Sequence, residues 1–199
     1  KRKDTPENAP TLLYGYGSYG ISISPSFSVS RLSLIDRGMV YAIAHIRGGM
    51  EKGKKWYENG KKKNKLNSFR DFIACAEFLK KENISKNITI HGGSAGGLLI
   101  GASLNISPDT FHCAVAEVPF VDVLNTILDD TLPLTPPEWE EWGNPIKSKS
   151  DFNYIRSYSP YDNIKEQNYP TILATSGLTD PRVTYWEATK WIAKLRSKK

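Results

Sequence analysis

Gly92-Gly93-Ser94-Ala95-Gly96-Gly97 is the stretch that decides how this chain is read. The short apolar run Asn87 to His91 before it suits a strand, and Leu98 to Leu104 after it extends a helix. Hydrolases expose a nucleophile in this way, on a tight turn between a strand and a helix. Gly92 and Gly96 occupy the glycine positions of the elbow G-x-S-x-G, while Gly93 and Ala95 leave the turn uncrowded. The Ala95 amide is then the natural first donor to an oxyanion formed at Ser94. Two plainer readings compete: a glycine-rich packing turn and a phosphate cradle. The cradle lacks the Lys-Ser/Thr of a P-loop.

Working outward, strands and helices alternate. Thr11 to Tyr14 reads as a strand, followed by the glycine-rich Tyr14-Gly15-Tyr16-Gly17-Ser18-Tyr19-Gly20. Phe27 to Arg37 reads as a helix stopped by Gly38, and Met39 to Ile46 as an apolar strand ending at Arg47-Gly48-Gly49. Phe69 to Asn83 is an amphipathic helix capped by Asn67 or Ser68. Cys113 to Val118 and Thr171 to Thr175 are further strands, and Val183 to Leu195 is a last helix. Pro119 to Trp142 reads as an irregular insert broken up by Pro133, Pro136 and Pro137. The pattern predicts an α/β protein with a mostly parallel sheet covered on both faces. Working residues in such sheets sit past the C-terminal strand ends, where Tyr16, Arg47, Ser94, Glu117 and Asp180 all fall. The final helix runs straight into the last residues, so the sheet is expected to be C-terminally incomplete.

A serine hydroxyl needs a base, and the base needs an orienting acid. Asp180, after a strand and the turn Ser176-Gly177-Leu178-Thr179, is the best acid, with an ordinary Asx-turn before Pro181 as its plainer reading. Triads of this architecture run Ser, Asp or Glu, then His. The three histidines, His45, His91 and His112, all precede Asp180. The catalytic His is therefore expected beyond residue 199.

Composition sets the bounds. The 199 residues, 39% of them hydrophobic, suffice for one core and a single domain. Cys75 and Cys113 make no disulfide framework and fit a cytoplasmic protein. There is no apolar stretch long enough to span a membrane and no apolar segment near Lys1 to suggest a signal peptide. The net charge of +6 gathers in Lys52 to Lys65 and at the last two residues. It reads as a solvated surface, with nucleic-acid or membrane contact as the lesser alternative. The sequence calls for no cofactor and no metal.

These residues resemble the prolyl oligopeptidase family of serine peptidases, most closely its oligopeptidase B (protease II) branch. The resemblance rests on Tyr14 to Gly20, Arg47-Gly48-Gly49, Gly92 to Gly97, Pro119-Phe120-Val121-Asp122-Val123, Glu138 to Pro145, Tyr158 to Asn163, and Tyr185-Trp186-Glu187 with Lys190-Trp191. It implies an α/β-hydrolase fold with Ser94 as nucleophile and Asp180 as triad acid. It also implies that the Tyr16 hydroxyl joins the Ala95 amide in an oxyanion hole. Arg182 matches an arginine that anchors the bound peptide. Glu138 and Glu140 match paired carboxylates that receive the arginine or lysine before the cut bond, a suitable partner for a guanidinium fork. Ser24 and Ser26 stand where some members carry Asp, which puts a preference for paired basic residues in doubt. The family's N-terminal β-propeller and its histidine-bearing segment have no counterpart in residues 1–199.

The expected function is thus a serine endopeptidase cutting short basic peptides after Arg or Lys through an acyl-enzyme, possessed of one partial catalytic domain that associates with the missing segments. An inactive fragment without its base, a lipase- or esterase-like hydrolase and a basic nucleic-acid-binding module are the competing expectations.

Overall fold

Five strands, β1 (Thr11–Tyr14), β2 (Val40–Ile43), β3 (Ile88–Gly93), β4 (Cys113–Glu117) and β5 (Thr171–Thr175), form one sheet in the order β2-β1-β3-β4-β5. Every pairing is parallel. The computed structural model describes residues 1–198. Its α-helices are α1 (Val29–Asp36), α2 (Lys54–Glu58), α3 (Leu66–Lys81), α4 (Ala95–Ile106), α5 (Val123–Leu128), α6 (Thr135–Trp142), α7 (Lys149–Tyr158) and α8 (Tyr185–Ser197).

The register explains the core. Leu13, Ile90, Ala114 and Ile172 lie side by side across four strands, and the first three are buried. On that side α4 lies against β3 and β4, with α3 behind it. Phe69, Phe72, Ala76, Leu98, Leu99 and Ile100 join the same cluster. Because α4 is apolar all round, it is buried from Ala95 to Leu104 and serves as a central helix rather than a surface one. The other face carries Tyr14, His91, Val115 and Leu173 in register, and its residues are only partly covered, Leu173 being 58% exposed. The expected covering of both faces is thus met on one face and only in part on the other, because the α3–α4 layer packs on the Leu13 side.

Three local expectations are corrected. Pro119 to Trp142 is not irregular throughout, since it contains α5 and α6. Pro136 and Pro137 fall in the first turn of α6, where backbone N–H groups have no helical partner to lose, so they start the helix instead of breaking it. Neither Asn67 nor Ser68 caps α3, which starts at Leu66 after Lys65. Ser68 lies within the first turn, buried, and its hydroxyl donates 2.6 Å to the Arg47 carbonyl. The unforeseen α7 has an ordinary start, the Ser148 side chain accepting from the Asp151 amide at 3.2 Å.

The strand order places the site. The chain passes from β1 outward to β2, then returns to β3 on the other side of β1 and continues through β4 to β5. The direction of winding therefore reverses between β1 and β3, which opens a crevice at their C-terminal ends. Tyr14 and His91 are register partners there, so Tyr16 and Ser94 leave the sheet as neighbours.

Candidate active site

Ser94 sits between β3 and α4 with φ 56° and ψ −121°, in the left-handed half of backbone space that a non-glycine residue occupies only under constraint. Such a conformation costs about 1–3 kcal/mol and is kept where the surroundings over-determine it. Here the Ser94 amide donates to the Glu117 carbonyl at 2.9 Å, while the Ser94 carbonyl accepts from Gly97 at 2.8 Å and from Phe120 at 3.0 Å. The bend also demands glycine. A Cβ on Gly92 would stand 2.4 Å from the Gly96 carbonyl oxygen, and one on Gly97 would stand 2.4 Å from Pro119 Cα. The serine itself is half-buried and lines a cavity.

The loop after β1 brings Tyr16 to the same place. A Cβ on Gly96 would meet the Gly15 carbonyl at 3.0 Å and Tyr16 Cδ2 at 3.3 Å, so the missing side chain is what lets the tyrosine ring approach the elbow. Burial raises the Tyr16 phenol above its ordinary pKa, with the charges of Tyr14, Glu138 and Glu141 adding to the shift and the Ser94 hydroxyl opposing it. The phenol therefore stays protonated as a hydrogen-bond donor at neutral pH.

Tyr16, Ser94, Ala95, Glu138 and Arg182 line one cavity of about 400 Å³, with Phe120, Ile127, Leu134 and Val183 among its apolar walls. Glu138 Oε2 accepts from the Tyr19 hydroxyl at 2.7 Å and from Trp142 Nε1 at 2.6 Å, leaving Oε1 without a partner among the described residues. Burial and then the Glu138 charge push the Tyr19 phenol far above its usual range, which keeps it a donor to that carboxylate. Glu140 is not brought to the cavity. Its side chain is 87% exposed and pairs with Lys62 at 3.1 Å.

Asp180 lies beside the cavity wall formed by Pro181, Arg182, Val183 and Thr184 but does not itself line it. Its Oδ1 accepts from the Arg182 amide at 2.8 Å and the Val183 amide at 3.0 Å, the Asx-turn geometry that was its plainer reading. These two bonds hold its pKa below the ordinary aspartate value. No bond falls on Oδ2 among the described residues, so an oxygen is left to orient a further donor. Arg47, which shares the strand-end position, is engaged elsewhere: its amide, Nε and Nη2 bind the Asp71 carboxylate at 3.0, 2.8 and 2.6 Å.

No histidine side chain is hydrogen-bonded to Ser94 among the described residues. His45 Nε2 lies 2.9 Å from the Ile23 carbonyl. His91 packs edge-on against Tyr14, with Nε2 3.1 Å from Glu117 Oε2. The His112 amide donates to the carbonyl of Ile88, the first residue of β3, which places His112 at the opposite end of the sheet from Ser94.

Three residues of the site escaped sequence reasoning. Glu187 is 1% exposed, lines the cavity, and accepts from the Val121 and Asp122 amides at 2.8 and 2.9 Å and the Thr126 hydroxyl at 2.8 Å. Burial pushes its carboxyl up to about 7 against the pull of those donors. Lys65 and Glu141 are buried together beneath the Tyr16 loop. Glu187 stands in the Tyr185-Trp186-Glu187 stretch that carries the resemblance, which gave it no role, and Lys65 stands at the end of a lysine run that reads as solvated. Glu141 stands three residues after Glu138, a spacing that puts both on one side of a helix.

Known proteins match this arrangement along its length. Residues 25–199 match the prolyl oligopeptidase family. Dipeptidyl aminopeptidase BI of Pseudoxanthomonas mexicana is 50% identical over 98% of the chain. Oligopeptidase B from Leishmania major superposes with a TM-score of 0.95 at 53% identity, over 98% of this chain and 28% of its own. Oligopeptidase B from Trypanosoma brucei, solved with covalently bound antipain, gives 0.93 at 55% identity, over 96% and 27%. The chain spans little more than a quarter of the curated relatives it matches, 27% and 28% of the first two.

Proposed function

Because the chain belongs to the prolyl oligopeptidase family, we propose that it forms the catalytic part of a serine oligopeptidase that cuts short peptides after Arg or Lys. The observation that carries this reading is Ser94 held at positive φ where the winding of the sheet reverses, with Tyr16 beside it and a Glu138-lined cavity in front. In this reading the sheet is that of an α/β-hydrolase, with the nucleophile after its β3 strand.

The chemistry follows from the geometry. Ser94 Oγ attacks the scissile carbonyl and gives up its proton to an imidazole. The developing oxyanion takes hydrogen bonds from the Ala95 amide and the Tyr16 hydroxyl. Asp180 Oδ2 holds the imidazole in the right tautomer and stabilises its charged form. The imidazole then protonates the leaving amine, and water releases the acyl group from Ser94. In this reading the imidazole belongs to a segment outside residues 1–199: His45 Nε2 lies at the Ile23 carbonyl, His91 packs against Tyr14 on the sheet, and His112 is at the opposite end of the sheet from Ser94. An access-restricting propeller lies outside as well in this reading. The Glu138 carboxylate, steadied by Tyr19 and Trp142, receives the guanidinium or ammonium of the substrate. Arg182, on the cavity wall, binds the peptide. Glu140, the other carboxylate of the expected pair, is exposed and bonded to Lys62 instead of lining the cavity, so this reading rests the cation on Glu138.

The test is labelling of the full-length protein by an organophosphate fluoride, together with hydrolysis of an N-blocked arginyl amide and a neutral ester. Labelling that vanishes in Ser94→Ala, with the arginyl amide preferred, is the expected result. Preference for the neutral ester makes the protein an esterase and refutes the peptidase reading. The name of the Pseudoxanthomonas relative favours a second reading, removal of dipeptides from a free N-terminus. Cleavage of the unblocked dipeptidyl amide alone would select it.

A further inference from the structure

Beneath the loop that carries Tyr16 and Tyr19 lies a lysine with almost no access to water. Lys65 is 1% exposed. Its Nζ donates to the Gly17 carbonyl at 2.6 Å and to the Ser18 hydroxyl at 2.8 Å, stands 5.0 Å over the Trp142 ring, and is 4.0 Å from Glu141 Oε1. Glu141, 3% exposed, accepts from the Tyr19 amide at 3.0 Å and from the Tyr57 hydroxyl at 2.7 Å. The two form a buried strut with one end on the β1 loop and the other on α6. Nothing in the reaction assigned above uses either of them.

A buried ammonium costs several kcal/mol in lost hydration unless its hydrogen bonds are satisfied and a countercharge is near. What this pair contributes in return is position. The loop supplies Tyr16 to the elbow, and Tyr19 to the Glu138 carboxylate; α6 supplies Glu138 and Trp142. Gly17 has φ 73°, Tyr19 60° and Gly20 67°, and a tyrosine keeps such a conformation only where its surroundings hold it. We propose that Lys65 is a positioning residue: through Gly17, Ser18 and Glu141 it locks the Tyr16 loop to α6, setting the distance between the oxyanion donor and the carboxylate that receives the substrate cation. This rests on the function proposed above. Burial depresses the Lys65 pKa to about 8, with the Glu141 charge opposing that shift.

A merely structural lysine and a positioning one differ in what they change. In the full-length protein, Lys65→Met keeps the stem and removes the ammonium. We expect kcat for an arginyl amide to fall and KM to rise, together by about 10²-fold in kcat/KM, the scale on which small misplacements act. Organophosphate labelling of Ser94 should slow in parallel, and the preference for arginine over its neutral isostere citrulline should shrink. Lys65→Arg should restore part of each. A folded Lys65→Met with unaltered kcat, KM and arginine preference overturns the proposal. Where that variant fails to fold, Glu141→Gln decides: it retains an acceptor for the Tyr19 amide but removes the countercharge, and unaltered constants in it overturn the proposal equally. A parent protein whose Ser94 resists the organophosphate overturns the underlying function, whereas a reactive parent with an indifferent Lys65→Met overturns this inference alone.

Discussion

Glu138, Glu140 and Glu141 show how finely single residues were legible. Read as an acidic stretch of an irregular insert, the run offered no reason to separate its members, and resemblance paired Glu138 with Glu140. On a helix, residues two apart point to different sides, while those three apart share one. Once α6 is present, Glu138 and Glu141 turn inward and Glu140 turns to Lys62. Ser94 was legible because its turn is written in local glycines; the buried partners of Lys65 were not, since they come from segments 47 and more residues away. At this scale the sharpest prediction concerns Tyr16. Its phenol is held protonated by burial and approaches the elbow across the bare Gly96. Tyr16→Phe in the full-length protein should lower kcat on an arginyl amide by about 10²-fold, the usual effect of deleting one oxyanion donor, with little change in KM. A kcat within twofold of the parent would remove Tyr16 from the reaction.

Elements were read well where periodicity is strong and poorly where a rule has two meanings. All five strands and the long α3 and α4 lie where apolar patterns put them. The prolines of α6 were read as breakers because proline inside a helix removes a bond, yet at a helix start it removes none. The fit of α4 to its surroundings carries its own prediction. Gly97 faces Pro119 Cα, a backbone atom that cannot swing away, at 2.4 Å from where a Cβ would lie. Gly97→Ala must therefore push α4 off the loop after β4. We expect a loss of about 1–3 kcal/mol in urea unfolding, as for overpacked cores, with slower labelling of Ser94 because the elbow moves with the helix.

For the whole molecule, the parallel sheet was foreseeable from alternation, but not its partly covered face, because coverage depends on which side each helix takes. The packing of α8 against the loop after β4 links the site to global stability through Glu187, whose charged neighbours are Asp122 and Lys190. Its carboxyl is raised to about 7 in the folded protein from an ordinary 4.5. The folded state therefore binds the extra proton between those values, so this group's contribution is full below 4.5 and lost as pH rises through about 7. Glu187→Gln should flatten the fall in stability over that window, measured by urea unfolding across pH; an unchanged slope would place the titration elsewhere. The sheet has one last consequence. β5 is hydrogen-bonded to β4 alone among the described strands, and Leu173 protrudes from it. Its outward row of amides and carbonyls is a ready template for any extended chain, so these 199 residues handled by themselves will behave as adhesive units, zipping onto one another as concentration climbs unless some other stretch of polypeptide occupies that seam first.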